Sequence, residues 1–156
     1  MTHLLVAVDK FTKWVGAKPI AKCDGTTATR FLKELIYCYG YPHSIITDNG
    51  TNFAVGEMAE FCREWGIRLD VASVAHPESN GQAERANQSV LAGLKPRLQV
   101  PPERSPGCWI DELPSVLWGI RTTPNRSTGF TPFFMVYGAE AIMPTDLEHE
   151  IGRAHV

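Results

Sequence analysis

Two stretches decide how this chain folds: His43-Ser44-Ile45-Ile46-Thr47-Asp48-Asn49-Gly50-Thr51 and His76-Pro77-Glu78-Ser79-Asn80-Gly81-Gln82-Ala83-Glu84. The first is a short β-branched run that stops at an aspartate and passes into Asn-Gly turn chemistry. Asp48 therefore ends a strand, where α/β sheets present ligand-binding groups. The second is a polar loop, stiffened by Pro77 and loosened by Gly81, that runs into a helix with Glu84 in its first turn. Taken singly, Asp48 reads as a turn aspartate and Glu84 as a carboxylate complementing a helix dipole. Loops of this composition often contact ligands, which gives the pair a second reading.

Working outward, Leu4 to Asp9 reads as a buried strand, Lys10 to Lys13 as a turn and Trp14 to Ile20 as a second strand, forming a hairpin. Thr26 to Tyr39 has helical spacing, with Ala28, Phe31, Leu32, Leu35, Ile36 and Tyr39 on one face. Asp24 or Thr26 suits its start and Gly40 its end. After the strand His43 to Thr47 comes a helix from Glu57 to Trp65, with Met58, Phe61, Cys62 and Trp65 on one stripe. Arg68 to Ser73 is a fourth strand and Ala75 to Asn80 a loop.

A long helix from Gln82 to Leu98 turns Ala83, Ala86, Val90, Leu91, Leu94 and Leu98 inward, with Ser79 and Gln82 at capping-box spacing. Val100 to Gly107 reads as a surface connection. The last helix, Trp109 to Arg121, points Ile110, Leu113, Leu117 and Ile120 inward. Pro114 fits it best if the helix begins near Asp111. Strands alternating with helices predict an α/β layered domain with a mixed sheet.

The 156 residues are one domain's worth, and 44% of them are apolar, enough for a core. No apolar run reaches the roughly eighteen residues that a membrane span needs. The residues after Met1 do not form a secretory signal. Cys23, Cys38, Cys62 and Cys108 lack metal-ligand and disulfide spacing. They read as reduced thiols of an intracellular protein, each packing as a small apolar residue. A net charge of −2 does not announce a nucleic-acid binder. Any case for DNA rests on local residues.

Two carboxylates at a strand end and a helix start can hold a hard divalent cation, whose remaining shell is water and phosphate oxygen. Two such ions about 4 Å apart clamp the attacking and leaving oxygens of phosphoryl transfer. Without a cation, like charges resist close approach.

Ile46-Thr47-Asp48-Asn49-Gly50-Thr51-Asn52-Phe53 resembles the second catalytic segment of retroviral and retrotransposon integrases, and His76 to Glu84 resembles the third. Thirty-five residues separate Asp48 from Glu84, as in that family. The likeness extends through Leu4-Leu5-Val6-Ala7-Val8-Asp9 with Phe11-Thr12-Lys13-Trp14-Val15, and through Leu113-Pro114-Ser115-Val116-Leu117-Trp118 with Arg121-Thr122-Thr123-Pro124. It ends in Thr131-Pro132-Phe133 with Val136-Tyr137-Gly138. It is most similar to the integrases of Gypsy-type long-terminal-repeat retrotransposons.

The resemblance implies an RNase H-like three-layer fold and magnesium- or manganese-dependent DNA strand transfer, with Asp48 and Glu84 as catalytic metal ligands. It implies that Asn80 sits on the active-site loop and that Arg85, Asn87 and Gln88 face DNA, contacting its backbone without reading sequence. The partners implied are element ends and target DNA, with homo-oligomerisation in the full protein, no membrane and a nuclear site of action.

There are departures. In the family, the segment resembling Leu4 to Asp9 is the second strand, and the first catalytic aspartate lies on the central strand before it. Asp9 is then a strand-end residue outside the chemistry. The first strand and its aspartate are expected to be missing here, making residues 1–147 a partial core without activity. The family's amino-terminal zinc module and its downstream module are also not matched. Residues 148–156 resemble nothing in the family and read as a foreign tail. The alternatives are a non-catalytic, DNA-binding or dimerising remnant, and a general RNase H-like nuclease or transposase.

Overall fold

The computed structural model describes residues 3–47, 56–71, 77–98 and 108–143. β1 (His3–Val8) and β2 (Val15–Ile20) form an antiparallel hairpin in which Leu5 faces Lys18 and Val8 faces Val15. Its turn is fixed by Asp9, whose carboxylate accepts the backbone N–H groups of Phe11 at 2.8 Å and Thr12 at 2.9 Å. Lys13 takes a φ of 64°, the left-handed conformation that closes the turn. Asp9 therefore has a structural task in closing the hairpin.

α1 (Gly25–Tyr39) starts at Asp24, which accepts a hydrogen bond from Thr27 N–H at 2.9 Å. The Thr27 side chain and backbone N–H together hold the Asp24 carboxyl below its ordinary pKa. Gly40 closes the helix with a φ of 93° that other residues rarely adopt. β3 (Ser44–Thr47) pairs in parallel with β4 (Arg68–Val71), and α2 (Glu57–Glu64) connects them. α3 (Pro77–Leu98), α4 (Cys108–Arg121) and the short α5 (Pro132–Tyr137) follow.

The strand period of two places the layers. Leu4, Val6 and Val8 pack on a core of Val15, Ala86, Val90, Leu94, Leu113, Val116 and Leu117, supplied mainly by α3 and α4. Leu5 turns to the opposite core of Ala28, Leu32, Ile36, Met58, Phe61, Cys62 and Ile67, supplied mainly by α1 and α2. Ile45 of β3 and Leu69 of β4 pack on that second core too. The strands thus lie between two helical layers. Among the described residues they form two separate two-stranded sheets, one antiparallel and one parallel. β1 and β3 do not pair with each other.

Several boundaries differ from expectation. The loop predicted over Ala75 to Asn80 gives way to helix at Pro77, because proline's fixed φ suits a first helical turn and its missing N–H is unneeded there. α4 begins at Cys108 rather than near Asp111, so Pro114 lies inside it and cannot donate to the Ile110 carbonyl. An interior proline costs about 3 kcal/mol. Burying Leu113, Val116 and Leu117 at about 1.5–3 kcal/mol each outweighs that cost. Ala83 and Leu91, expected inside, are exposed, since the buried stripe of α3 is narrowed to Ala86, Val90 and Leu94. Of the cysteines with described side chains only Cys62 is buried; Cys38 is exposed on the outer side of α1, and Cys23, in the connection between β2 and α1, is half-buried. Residues 72–73 of the predicted fourth strand and residues 144–156 lie outside the described residues.

α3 and α4 approach most closely at Gly93. A Cβ there would stand 2.6 Å from Val116 Cγ1, and Val116 is buried with a stiff side chain. Gly93→Ala is therefore expected to destabilise the domain by about 1–2 kcal/mol, the overpacking cost outweighing the helix propensity gained. Denaturant melts should show this loss, and Val116→Ala in the same chain should cost less than it does alone. Additive losses would remove the contact as the cause.

Candidate functional site

Glu84 lies two turns into α3, exposed on the side away from the core. Its position follows from the helix period: Ala86, Val90 and Leu94 are buried, so Glu84, Gln88 and Leu91 at i, i+4 and i+7 face outward. Asn87 and Gln88 are exposed one turn on from Glu84. Arg85 is also exposed, and its guanidinium folds back over Gly81, where a Cβ would stand 3.7 Å from Nη2. Asn80 belongs to the helical backbone rather than to a loop.

Asp48 lies outside the described residues, so its distance from Glu84 is not among the structure's findings. The strand that carries it is well placed: β3 ends at Thr47, at the carboxyl end of a parallel pair, and α3 packs against β3. Thr47 Oγ1 and Gln82 Oε1 are both buried without a hydrogen-bond partner. One directly precedes Asp48 and the other lies two residues before Glu84. Buried polar atoms are nearly always paired, so these two oxygens stand out, although Gln82 shares the buried Ala86 side of α3 and Glu84 faces the other way. The sequence marks neither, because an unsatisfied oxygen is a property of packing.

Carboxylates are hard oxygen ligands of the kind magnesium takes, and Glu84 is the predicted ligand that lies among the described residues. Among the described residues no three His, Cys, Asp or Glu side chains converge on a metal position. The described part of the site thus contributes Glu84 and its surroundings.

Residues 1–77 match the family model described as the integrase core domain. The Gag-Pol polyprotein of feline leukemia virus is 33% identical over 138 residues, covering 88% of this chain and 8% of that protein. The Pro-Pol polyprotein of simian foamy virus type 1 is 29% identical over 142 residues, covering 91% of this chain and 12% of that protein. The chain therefore spans about a tenth of the length of these relatives. Among solved structures, the HTLV-2 integrase catalytic core domain in complex with magnesium superposes with a TM-score of 0.70 at 24% identity, over 86% of this chain and 84% of that one. A chain of the simian T-cell lymphotropic virus intasome, solved with a PP2A regulatory subunit, gives 0.74 at 25% identity, over 90% of this chain and 50% of that one. The RNase H-like α/β architecture expected from the sequence agrees with these neighbours. With sequence likeness over about nine-tenths of its length and the same fold beneath it, the chain belongs to the integrase core domain family.

Proposed function

We propose that this chain is part of the catalytic core of a Gypsy-type retrotransposon integrase, whose full-length protein acts in the nucleus to trim element ends and join their 3′ hydroxyls to target phosphodiesters. The observation that carries the reading is the pair of segments ending at Asp48 and Glu84, one following a strand and the other on a helix that packs against that strand in an integrase fold. Viral polyproteins among the relatives and an intasome among the structural neighbours support it. The HTLV-2 core was solved with magnesium in trimeric and dimeric forms, which supports a divalent cation and homo-oligomerisation here. No described helix is long and apolar enough to cross a membrane.

In this reading Asp48 and Glu84 would hold magnesium, or manganese in its place. Bound there, the cation neutralises charge developing on the transferring phosphoryl group. Arg85, Asn87, Gln88 and Asn80 position the DNA backbone. The exposure of Arg85, Asn87 and Gln88 on one side of a rigidly packed helix supports this. Two carboxylates do not assemble a two-ion site, so these 156 residues alone hold one cation weakly and do not turn over.

Three measurements test the reading. Calorimetry with magnesium should detect weak binding that Asp48→Asn abolishes; unchanged affinity in that variant would remove Asp48 as a ligand. A labelled donor duplex incubated with the purified chain and either metal should yield no strand transfer. Product above an Asp48→Asn control would overturn the view that two carboxylates are too few. Asn87→Ala and Gln88→Ala should each lower duplex affinity while stability stays within about 0.5 kcal/mol, as at other exposed positions. DNA binding that neither variant changes would take this face of α3 out of the interface.

A further inference from the structure

Trp14, just before β2, is 7% exposed and gathers aromatic rings from two elements. Tyr39 at the end of α1 lies 5.4 Å from it between ring centroids, with Phe133 and Tyr137 of α5 at 6.2 and 5.8 Å. Arg121, the last residue of α4, places its guanidinium 4.2 Å from the Trp14 ring centroid. It donates from Nε at 3.0 Å and from Nη2 at 2.8 Å to the Val15 carbonyl. A guanidinium has five N–H donors, so most of its donor capacity remains.

No carboxylate balances this charge among the described residues. Lys18 pairs with Glu34, Arg63 with Glu60 and Arg68 with Asp70, and none of these involves Arg121. Burial pushes the Arg121 pKa down, against the Tyr39 and Tyr137 hydroxyls beside it. Desolvating a cation without a counter-ion is costly, and native structures ordinarily supply one. A second donor in the cluster is unmet as well: Trp14 Nε1–H is buried with no acceptor. The cluster is rich in donors and short of acceptors, which suits a ligand that only accepts.

We propose that the Arg121 cluster is a docking site for an acidic peptide segment, with an Asp or Glu carboxylate seated on the Arg121 guanidinium between Tyr39 and Tyr137. The planar fork of arginine matches a carboxylate in two-point contact. Tyr39 and Tyr137 are 44% and 57% exposed and supply the apolar rim that a peptide's neighbouring side chains cover. Aromatic residues around one arginine are also the composition that dominates binding energy at protein interfaces. Nucleic acid fits less well, since a phosphate backbone engages several cations in a row and this cluster holds one. The site is independent of Asp48 and Glu84.

The test uses the full chain and two tripeptides, acetyl-Phe-Glu-Phe-amide and its Gln counterpart, with the Trp14 indole N–H resonance as readout. The Glu peptide should shift that resonance saturably and bind about tenfold or more tightly than the Gln peptide, as expected for hydrogen bonds to a charged acceptor. Arg121→Gln should erase the preference. Because that variant also loses the Val15 contact, Tyr137→Ala provides a second arm at an exposed position and should weaken the Glu peptide several-fold. Equal binding of the two peptides, no saturable shift, or a Tyr137→Ala variant with unchanged affinity overturns the proposal. Tighter Arg121-dependent binding of inorganic phosphate or a short DNA duplex would overturn it in favour of a phosphate site.

Discussion

Everything in this domain hangs on β1 being covered on both faces. Leu4, Val6 and Val8 point into the α3–α4 core and Leu5 into the α1–α2 core, so a strand of six residues ties both helical layers to one plane. These β1 side chains are half-buried, so each contributes less than the roughly 1.5–3 kcal/mol of a fully buried one. A one-residue slip would exchange the two sets and empty both cores. The hairpin register, fixed by the Asp9 turn and the Val8–Val15 pairing, is what prevents that slip.

The functional side of the molecule inherits its rigidity from this arrangement. Glu84 is exposed, but its helix is anchored by Ala86, Val90 and Leu94, and Gly93 brings α4 against it too closely for any larger residue to fit without a shift. A carboxylate on such a helix has its backbone position set before any ligand arrives, which lowers the ordering cost of binding. The parallel pair of β3 and β4 does the same for Thr47, whose unsatisfied hydroxyl stands next to Asp48. Arg121 shows the opposite economy. Its guanidinium braces the start of β2 through the Val15 carbonyl and the Trp14 ring, and among the described residues the charge that does this is left without a carboxylate.

The order of elements, the hairpin, most inward residues of α1 and α2 (though not Tyr39, which is exposed) and the family itself are readable from the residues, because each depends on local periodicity or on two specific segments. Met58, Phe61 and Cys62 recur at helical spacing, and the Asp48 and Glu84 segments carry their likeness in consecutive residues. Tertiary structure decided the rest. It carried α4 through Pro114, because burial across the α3–α4 contact exceeds what proline costs. It exposed Leu91 and Cys38 despite their apolar character, because only one stripe of each helix reaches a core. It left Thr47, Gln82 and Trp14 with unmet polar atoms and set Arg121 over an indole 107 positions earlier in the chain. Such pairings join residues far apart in sequence, and no local pattern encodes whether a buried donor or acceptor finds its partner.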